Sequence, residues 1–244
     1  MSDIVSAADR AKHAAAARAL ELVGDGMKLG LGTGSTAKVF VDLLAERVRA
    51  EGLALTCVAT SRRTAAQAEA LGLNVVSLDR AGALDLTIDG ADEFDEELNL
   101  IKGGGGALLV EKIVAAASQR MVVIADPSKE AVTLGRYPLP VEIVRFGAGA
   151  TMRLIGRLIE GQDVDGRTMT LREGKDGAYR TDEGHYIVDL KLGRIGDPGG
   201  LDVALNAIPG VVETGLFVGL CSAVIVGEPD GDAFLVGDPD RRRG

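Results

Sequence analysis

Apolar runs of strand length alternate with helical patterns through the first half of the chain, and three of those runs end directly in a polar cluster. The clusters are Gly32-Thr33-Gly34-Ser35-Thr36, Asp89-Gly90-Ala91-Asp92 and Asp126-Pro127-Ser128-Lys129. Strands alternating with helices predict a parallel sheet with right-handed crossovers and helices on both faces. In such an open sheet the segments that follow the strands lie along its carboxyl edge, where ligands bind. The expected strands are 27–31, 53–59, 75–78, 84–88 and 121–125, and the expected helices are 7–22, 37–48, 62–71 and 107–118. The residue supply fits: 46% of residues are hydrophobic but only 3% aromatic, as in strands buried on both faces.

Beyond residue 136 the pattern changes. Strand-like runs at 141–146, 168–172, 186–192 and 211–218 enclose helical runs at 152–160 and 201–208. That β-α-β-β-α-β order is the ferredoxin-like split unit. The apolar run 222–227 is then placed to rejoin the first sheet. The expected fold class is therefore α/β. A Rossmann-like open parallel sheet with helices on both faces takes residues 1–136 and 220–244, and a smaller inserted α+β (ferredoxin-like) domain takes 137–219. A chain of 244 residues is long enough for both.

Between the second and third clusters, Lys102 precedes four consecutive glycines, Gly103-Gly104-Gly105-Gly106, and an apolar helical run that carries Glu111. Glycine buries no side chain and loses the most entropy on ordering, so packing does not account for the run. Backbone N–H groups crowding a ligand at the start of a helix do. Carboxylates, a lysine, a glycine loop and a helix-borne glutamate so close in sequence point to proton transfer on an anionic small molecule. The first cluster is neither a Walker loop, since no lysine follows its last glycine, nor a dinucleotide fingerprint, since Ser35 stands where a third glycine belongs. Each feature also has a plainer reading: a capped turn at Ser35, an acidic surface turn at Asp89 and Asp92, a hinge at the glycines, a solvated helix face at Glu111.

The net charge of −9 argues against a nucleic-acid partner and leaves a phosphorylated small molecule open. Cys57 and Cys221 read as buried small hydrophobes, and no Cys/His spacing supports a zinc site. His13 and His185 read as structural or exposed. No run has the length of a membrane span and no apolar signal core is present, so a cytoplasmic protein without a membrane partner is expected.

Taken together, these segments resemble ribose-5-phosphate isomerase, type A, along nearly the whole chain. The resemblance rests on the three clusters, on Lys102 through Glu111-Lys112, and on Ile208-Pro209-Gly210-Val211-Val212 followed by Gly215-Leu216-Phe217. It implies interconversion of ribose 5-phosphate and ribulose 5-phosphate in the pentose phosphate pathway, with no metal and no organic cofactor, by a homodimer or homotetramer. It implies Glu111 as the base, Lys102 and glycine-loop N–H groups as stabilisers of the oxyanion, and Asp89 as an aid to ring opening. Substrate binding is carried over to Thr33, Gly34, Ser35, Thr36, Asp89, Gly90, Ala91, Asp92, Lys102, Gly103, Gly104 and Gly105, with charge from Lys129 and Lys12. The competing readings are a sugar-phosphate deaminase or lactonase, a coenzyme A transferase with a nucleophilic glutamate, and a sugar-phosphate sensor. The sensor reading lacks room before the first strand for a DNA-binding module.

Overall fold

The computed structural model describes residues 6–242, so the outermost residues of the expected 1–136 and 220–244 segments lie outside it. In chain order the elements begin with α1 (Ala7–Leu20), β1 (Lys28–Leu31), α2 (Ser35–Glu51), β2 (Thr56–Ala59), α3 (Arg62–Ala70) and α4 (Leu78–Ala81). They continue with β3 (Leu86–Asp89), β4 (Glu93–Phe94), β5 (Leu100–Ile101), α5 (Leu108–Ala116), β6 (Met121–Ala125) and β7 (Leu139–Ile143). Next come α6 (Ala148–Ile159), β8 (Thr168–Leu171), β9 (Glu173–Gly174), β10 (Gly177–Ala178) and β11 (Tyr186–Lys191). The last are α7 (Pro198–Asn206), β12 (Val211–Thr214), β13 (Leu216–Phe217), β14 (Ala223–Gly227) and β15 (Ala233–Gly237).

Two compact units result. One takes in the chain through Ala91, Val110–Lys129 and the chain from Leu220 on; the other takes Asp92–Leu109 and Glu130–Gly219. The second unit contains the expected insert 137–219 and also takes up Asp92–Leu109 and residues 130–136.

The first unit is built on a six-stranded sheet in the order β15-β14-β6-β3-β1-β2. All of its pairings are parallel except that of the edge strand β15. From β1 the chain runs to β2 on one side and later returns to β3 on the other, so the strand order switches direction between β1 and β3. Their ends are level, with Leu31 paired to Ile88. Such a switch point leaves a crevice outside the carboxyl ends of the two strands. Leu29, Leu31, Ile88 and Ile124 pack on Phe40 and Leu44 of α2 and on Ala15 and Ala19 of α1. Val58, Leu84 and Val114 pack in a separate cluster with Ala81 of α4.

The alanines of α1 have a use. A Cβ at Gly227 in β14 would overlap the Ala11 carbonyl and approach Ala15 N, so helix and strand meet backbone to backbone. The expected strand 75–78 is cut to a single bridge, Val75 to Cys57. The Ser77 side chain accepts from Arg80 N, which caps α4 and turns the chain away from the sheet.

In the second unit, β12-β7-β11-β8 form a four-stranded antiparallel sheet. With α6 and α7 it has the expected ferredoxin-like order. Leu139, Val141, Ile143, Val188 and Leu190 pack against Ile155 and Ile159 of α6 and Leu201 and Leu205 of α7. The expected strand 211–218 divides at Gly215. β12 stays in this sheet, and β13 joins β5 and β4 in a three-stranded antiparallel sheet. Gly215 makes the switch possible, because a Cβ there would overlap the Lys102 carbonyl.

Glu142 on β7 is a buried carboxyl, 1% exposed. Its Oε1 accepts from Thr181 Oγ1 at 2.9 Å and lies 2.9 Å from His185 Nδ1, while Oε2 has no hydrogen-bond partner among the described residues. Burial pushes its pKa above the ordinary carboxylate value, against the lowering effect of His185 and Thr181.

Two measurements test this packing. Gly227→Ala is expected to lower stability by about 1–3 kcal/mol, read from denaturant unfolding, since α1 must shift to admit the methyl group. A carboxyl whose folded pKa is raised contributes stability that is full below the unfolded pKa and lost as pH rises through the folded one. The Tm of Glu142→Gln should therefore gain on wild type as pH rises from about 4 to about 7, and a constant difference would contradict the assignment.

Candidate active site

In the first unit, the loops after β1 and β3 are tied together by one carboxylate. Asp89, fully buried at the end of β3, accepts through Oδ1 from Thr33 N at 3.0 Å and from Gly90 N at 2.7 Å. Gly32 N donates to Ile88 O at 2.9 Å. A Cβ at Gly32 would overlap the Asp89 carboxylate and its Cα, so the loop requires glycine there. Thr33 Oγ1 lies 2.8 Å from both Thr60 Oγ1 and Ser61 Oγ and 3.1 Å from Thr64 Oγ1. That hydroxyl braces the loop against the segment after β2.

Gly34, at φ +132°, begins α2 without any side-chain cap. The first N–H groups of a helix have no partner within the helix, and its dipole favours an anion at that end. A cleft of about 390 Å³ opens here, lined by Gly34, Ser35, Lys38, Arg63, Thr64 and Gln67. The sequence singled out Ser35 but neither cation. Lys38 follows Ser35 at helical spacing and Arg63 sits in the first turn of α3, where charged residues pass for solvated surface.

Glu111 belongs to the same unit. It lies in the first turn of α5 and is 3% exposed. Lys129 ends a short 3-10 turn after β6, which Asp126 Oδ1 stabilises by accepting from Ser128 N at 3.0 Å. Lys12 sits on α1 with its ammonium 3.8 Å from Asp9 Oδ1. A larger cleft of about 850 Å³, lined by α1, Val39 and the turn before β15, contains none of the expected site residues.

The second unit holds Asp92, Lys102 and the glycine run. Lys102 is 2% exposed. Its N–H donates to Gly215 O at 2.9 Å, and its ammonium stands 5.5 Å from the centroid of the Phe217 ring. Gly104 N donates to Asp92 Oδ2 at 2.7 Å, and Gly106 N donates to Gly103 O at 3.0 Å. Gly103 and Gly106 have φ of +103° and +82°, which L side chains resist. At Gly104 a Cβ would overlap the Tyr137 hydroxyl and come within 2.6 Å of Asp92 Oδ1; at Gly106 it would overlap Tyr179. The run is thus a fixed backbone surface rather than a hinge. The Tyr137 phenol is pushed above its ordinary pKa by burial and by the nearby Asp92 charge, so it stays a hydrogen-bond donor at neutral pH.

Three charged side chains, Asp89, Lys102 and Glu111, are therefore almost wholly buried, which charged residues rarely are outside pairs and functional sites. The sequence did not reveal Tyr137, Tyr179 or Arg172, which contact the glycine run from distant parts of the chain. Among the described residues no group of three or more His, Cys, Asp or Glu side chains is placed to hold a metal ion. Among them, too, no helix is long and apolar enough to cross a membrane.

Residues 56–231 match the family model described as ribose 5-phosphate isomerase A (phosphoriboisomerase A). The chain is 61% identical over 231 residues to ribose-5-phosphate isomerase A of Cereibacter sphaeroides (strain ATCC 17029 / ATH 2.4.9), covering 95% of this chain and 88% of that protein. It is 57% identical over 235 residues to the protein of the same name from Dinoroseobacter shibae, covering 96% and 90%. Its fold superposes on ribose 5-phosphate isomerase A from Methanocaldococcus jannaschii with a TM-score of 0.87 at 35% identity, covering 96% of this chain and 100% of that one. A D-ribose-5-phosphate isomerase solved in complex with phospho-erythronic acid gives a TM-score of 0.86 at 36% identity, covering 93% and 97%. By sequence along nearly its full length and by fold, the chain belongs to the ribose 5-phosphate isomerase A family.

Proposed function

We propose that this protein interconverts D-ribose 5-phosphate and D-ribulose 5-phosphate, by proton transfer between C2 and C1 of the open-chain sugar, in the pentose phosphate pathway. The observation that carries the reading is Glu111: a carboxylate buried in the first turn of the helix that the glycine run introduces. Glu111 removes the C2 proton. The C–H electron pair forms the C1–C2 double bond, and the carbonyl pair moves onto O1, giving a cis-enediolate. The same carboxyl then returns the proton to C1, while the proton on O2 passes to O1 and C2 becomes the carbonyl. A base on one face of the sugar thus serves both steps.

Negative charge develops on O1 and O2 as the enediolate forms. The Lys102 ammonium and the backbone N–H groups of residues 103 and 105 are the donors assigned to that charge, while Gly104 N already donates to Asp92 Oδ2 and anchors the run. Asp89 assists ring opening and hydroxyl proton movement, with Gly90, Ala91 and Asp92 binding the sugar. The phosphate is assigned to the uncapped start of α2, at Thr33, Gly34, Ser35 and Thr36. The cleft there and the cations Lys38 and Arg63 on its wall support that placement. Lys129 and Lys12 add positive charge to the same unit. No metal or organic cofactor takes part in this scheme. The working form is a homodimer or homotetramer in the cytoplasm, a reading that rests on the family resemblance.

The test is direct. Purified protein should convert ribose 5-phosphate to ribulose 5-phosphate at an undiminished rate in the presence of EDTA. Absence of turnover by folded protein would refute the isomerase reading, and loss of turnover on chelation would refute the metal-free scheme. Glu111→Gln keeps the volume and removes the base, so kcat should fall roughly 100- to 10,000-fold with KM little changed. Near-wild-type turnover in that variant would remove Glu111 from the role.

A further inference from the structure

Arg172 lies just beyond β8, nearly seventy residues from the glycine run in sequence, yet it is bonded to it. Its Nη1 donates to Gly103 O at 2.9 Å and to Gly104 O at 3.3 Å. The other edge of the guanidinium is gripped by Asp189 on β11, through Nε to Oδ2 at 2.8 Å and Nη2 to Oδ1 at 2.5 Å. Both side chains are largely buried, at 15% and 19% exposed. A fork held on two carboxylate oxygens leaves the guanidinium plane little freedom, which a lysine ammonium does not match. The Tyr179 ring lies 5.9 Å from the guanidinium carbon, and the Tyr179 hydroxyl donates to Gly105 O at 3.4 Å. Three successive carbonyls of the run, at residues 103, 104 and 105, are therefore held by one cluster.

The consequence follows from peptide geometry. In a trans peptide the N–H points opposite to the C=O of the same unit. The carbonyl of Gly103 shares its peptide with Gly104 N–H, and the carbonyl of Gly104 shares its peptide with Gly105 N–H. Drawing both carbonyls toward Arg172 turns both N–H groups the other way. The first meets Asp92 Oδ2 at 2.7 Å, which fixes the direction in which the pair faces. A cation on the carbonyl side also polarises both peptides and strengthens their N–H groups as donors.

We propose that Arg172, locked by Asp189, is a positioning residue for the isomerisation: it sets the orientation and donor strength of the peptides that follow Lys102. This rests on the isomerase reading and on the assignment of the Gly105 N–H to the developing oxyanion, the Gly104 N–H being the one that Asp92 holds. The Arg172 side chain bonds to the loop and to Asp189 and lies against Tyr179, and its effect is transmitted through the backbone.

The experiment begins with the wild-type chain on ribose 5-phosphate. No turnover there overturns the isomerase reading, and this inference with it. With turnover established, kcat, KM and Tm are measured for Arg172→Gln, Arg172→Lys, Asp189→Asn and the Arg172→Gln/Asp189→Asn double variant. Donors that act mainly in the transition state should lower kcat, by about 10- to 100-fold in Arg172→Gln, with KM within about threefold. Arg172→Lys should recover part of that loss by reaching one carbonyl. The double variant should be no slower than Arg172→Gln alone, because Asp189 acts only through Arg172. Wild-type kcat in folded Arg172→Gln overturns the role and leaves the isomerase reading standing. So does a loss in which kcat follows the folded fraction across all variants. Should Arg172→Gln fail to fold, Arg172→Lys and Asp189→Asn decide the question by the same split between kcat and KM.

Discussion

The hydrogen bonds from Thr33 N and Gly90 N to Asp89 Oδ1 are the interaction on which the geometry of the first unit's loops depends. They join the two loops that leave the sheet at its switch point, and they do so with a fully buried carboxylate. A charge in that position costs several kcal/mol unless it receives hydrogen bonds. Two backbone N–H groups supply them, and the glycine at residue 32 lets the chains come close enough. Thr33 is braced in turn by the hydroxyls of Thr60, Ser61 and Thr64, so the position of α2's first turn is inherited from Asp89 by a short chain of bonds.

The glycine run in the second unit follows the same logic with a different holder. There an arginine grips carbonyls, and a carboxylate, Asp92, takes an N–H. In both places backbone groups are fixed by buried ionic side chains, and glycine is the residue type that permits the approach. Chemistry performed by backbone N–H groups and a few buried charges leaves little trace in overall composition. The chain's two histidines and two cysteines accordingly give no hint of these loops.

Much of this was legible in the sequence because short-range signals coincide with the ends of the strands. The clusters after β1 and β3 stand out since polar and glycine residues interrupt apolar periodicity at strand ends. The split unit was visible from the order of its runs along the chain, and those runs form one four-stranded sheet. What stayed hidden is instructive. Strands β4, β5 and β13 have two residues each, too few to show a period. The turn between β4 and β5 contains no glycine; Leu98 takes φ +64° there, and Asp95 accepts from Asn99 N at 2.8 Å. β15 follows a Pro-Asp-Gly turn that signals a hairpin, but the runs expected from the sequence end at residue 227. Arg172 and Tyr179 were invisible for a different reason: their role is a contact across about seventy residues, and nothing local marks it.

The seam between α1 and β14 has a consequence for how the chain comes into being. Arg10 Nε donates to Pro229 O at 2.7 Å across a separation of 219 residues, next to the place where Ala11 and Ala15 meet Gly227. During synthesis α1 emerges about two hundred residues before the strand that receives its alanine face. The ferredoxin-like sheet lies wholly between them in sequence and has all its strands by residue 214. On the ribosome, then, the inserted sheet can close first. The larger sheet must wait for β14: α1 can pack on α2 as soon as both are made, but its contact with Gly227 forms only once that strand has emerged. Long-range closure of this kind is slow. It makes the small-residue face of α1 that later meets β14 the surface this nascent chain must keep from wrong partners.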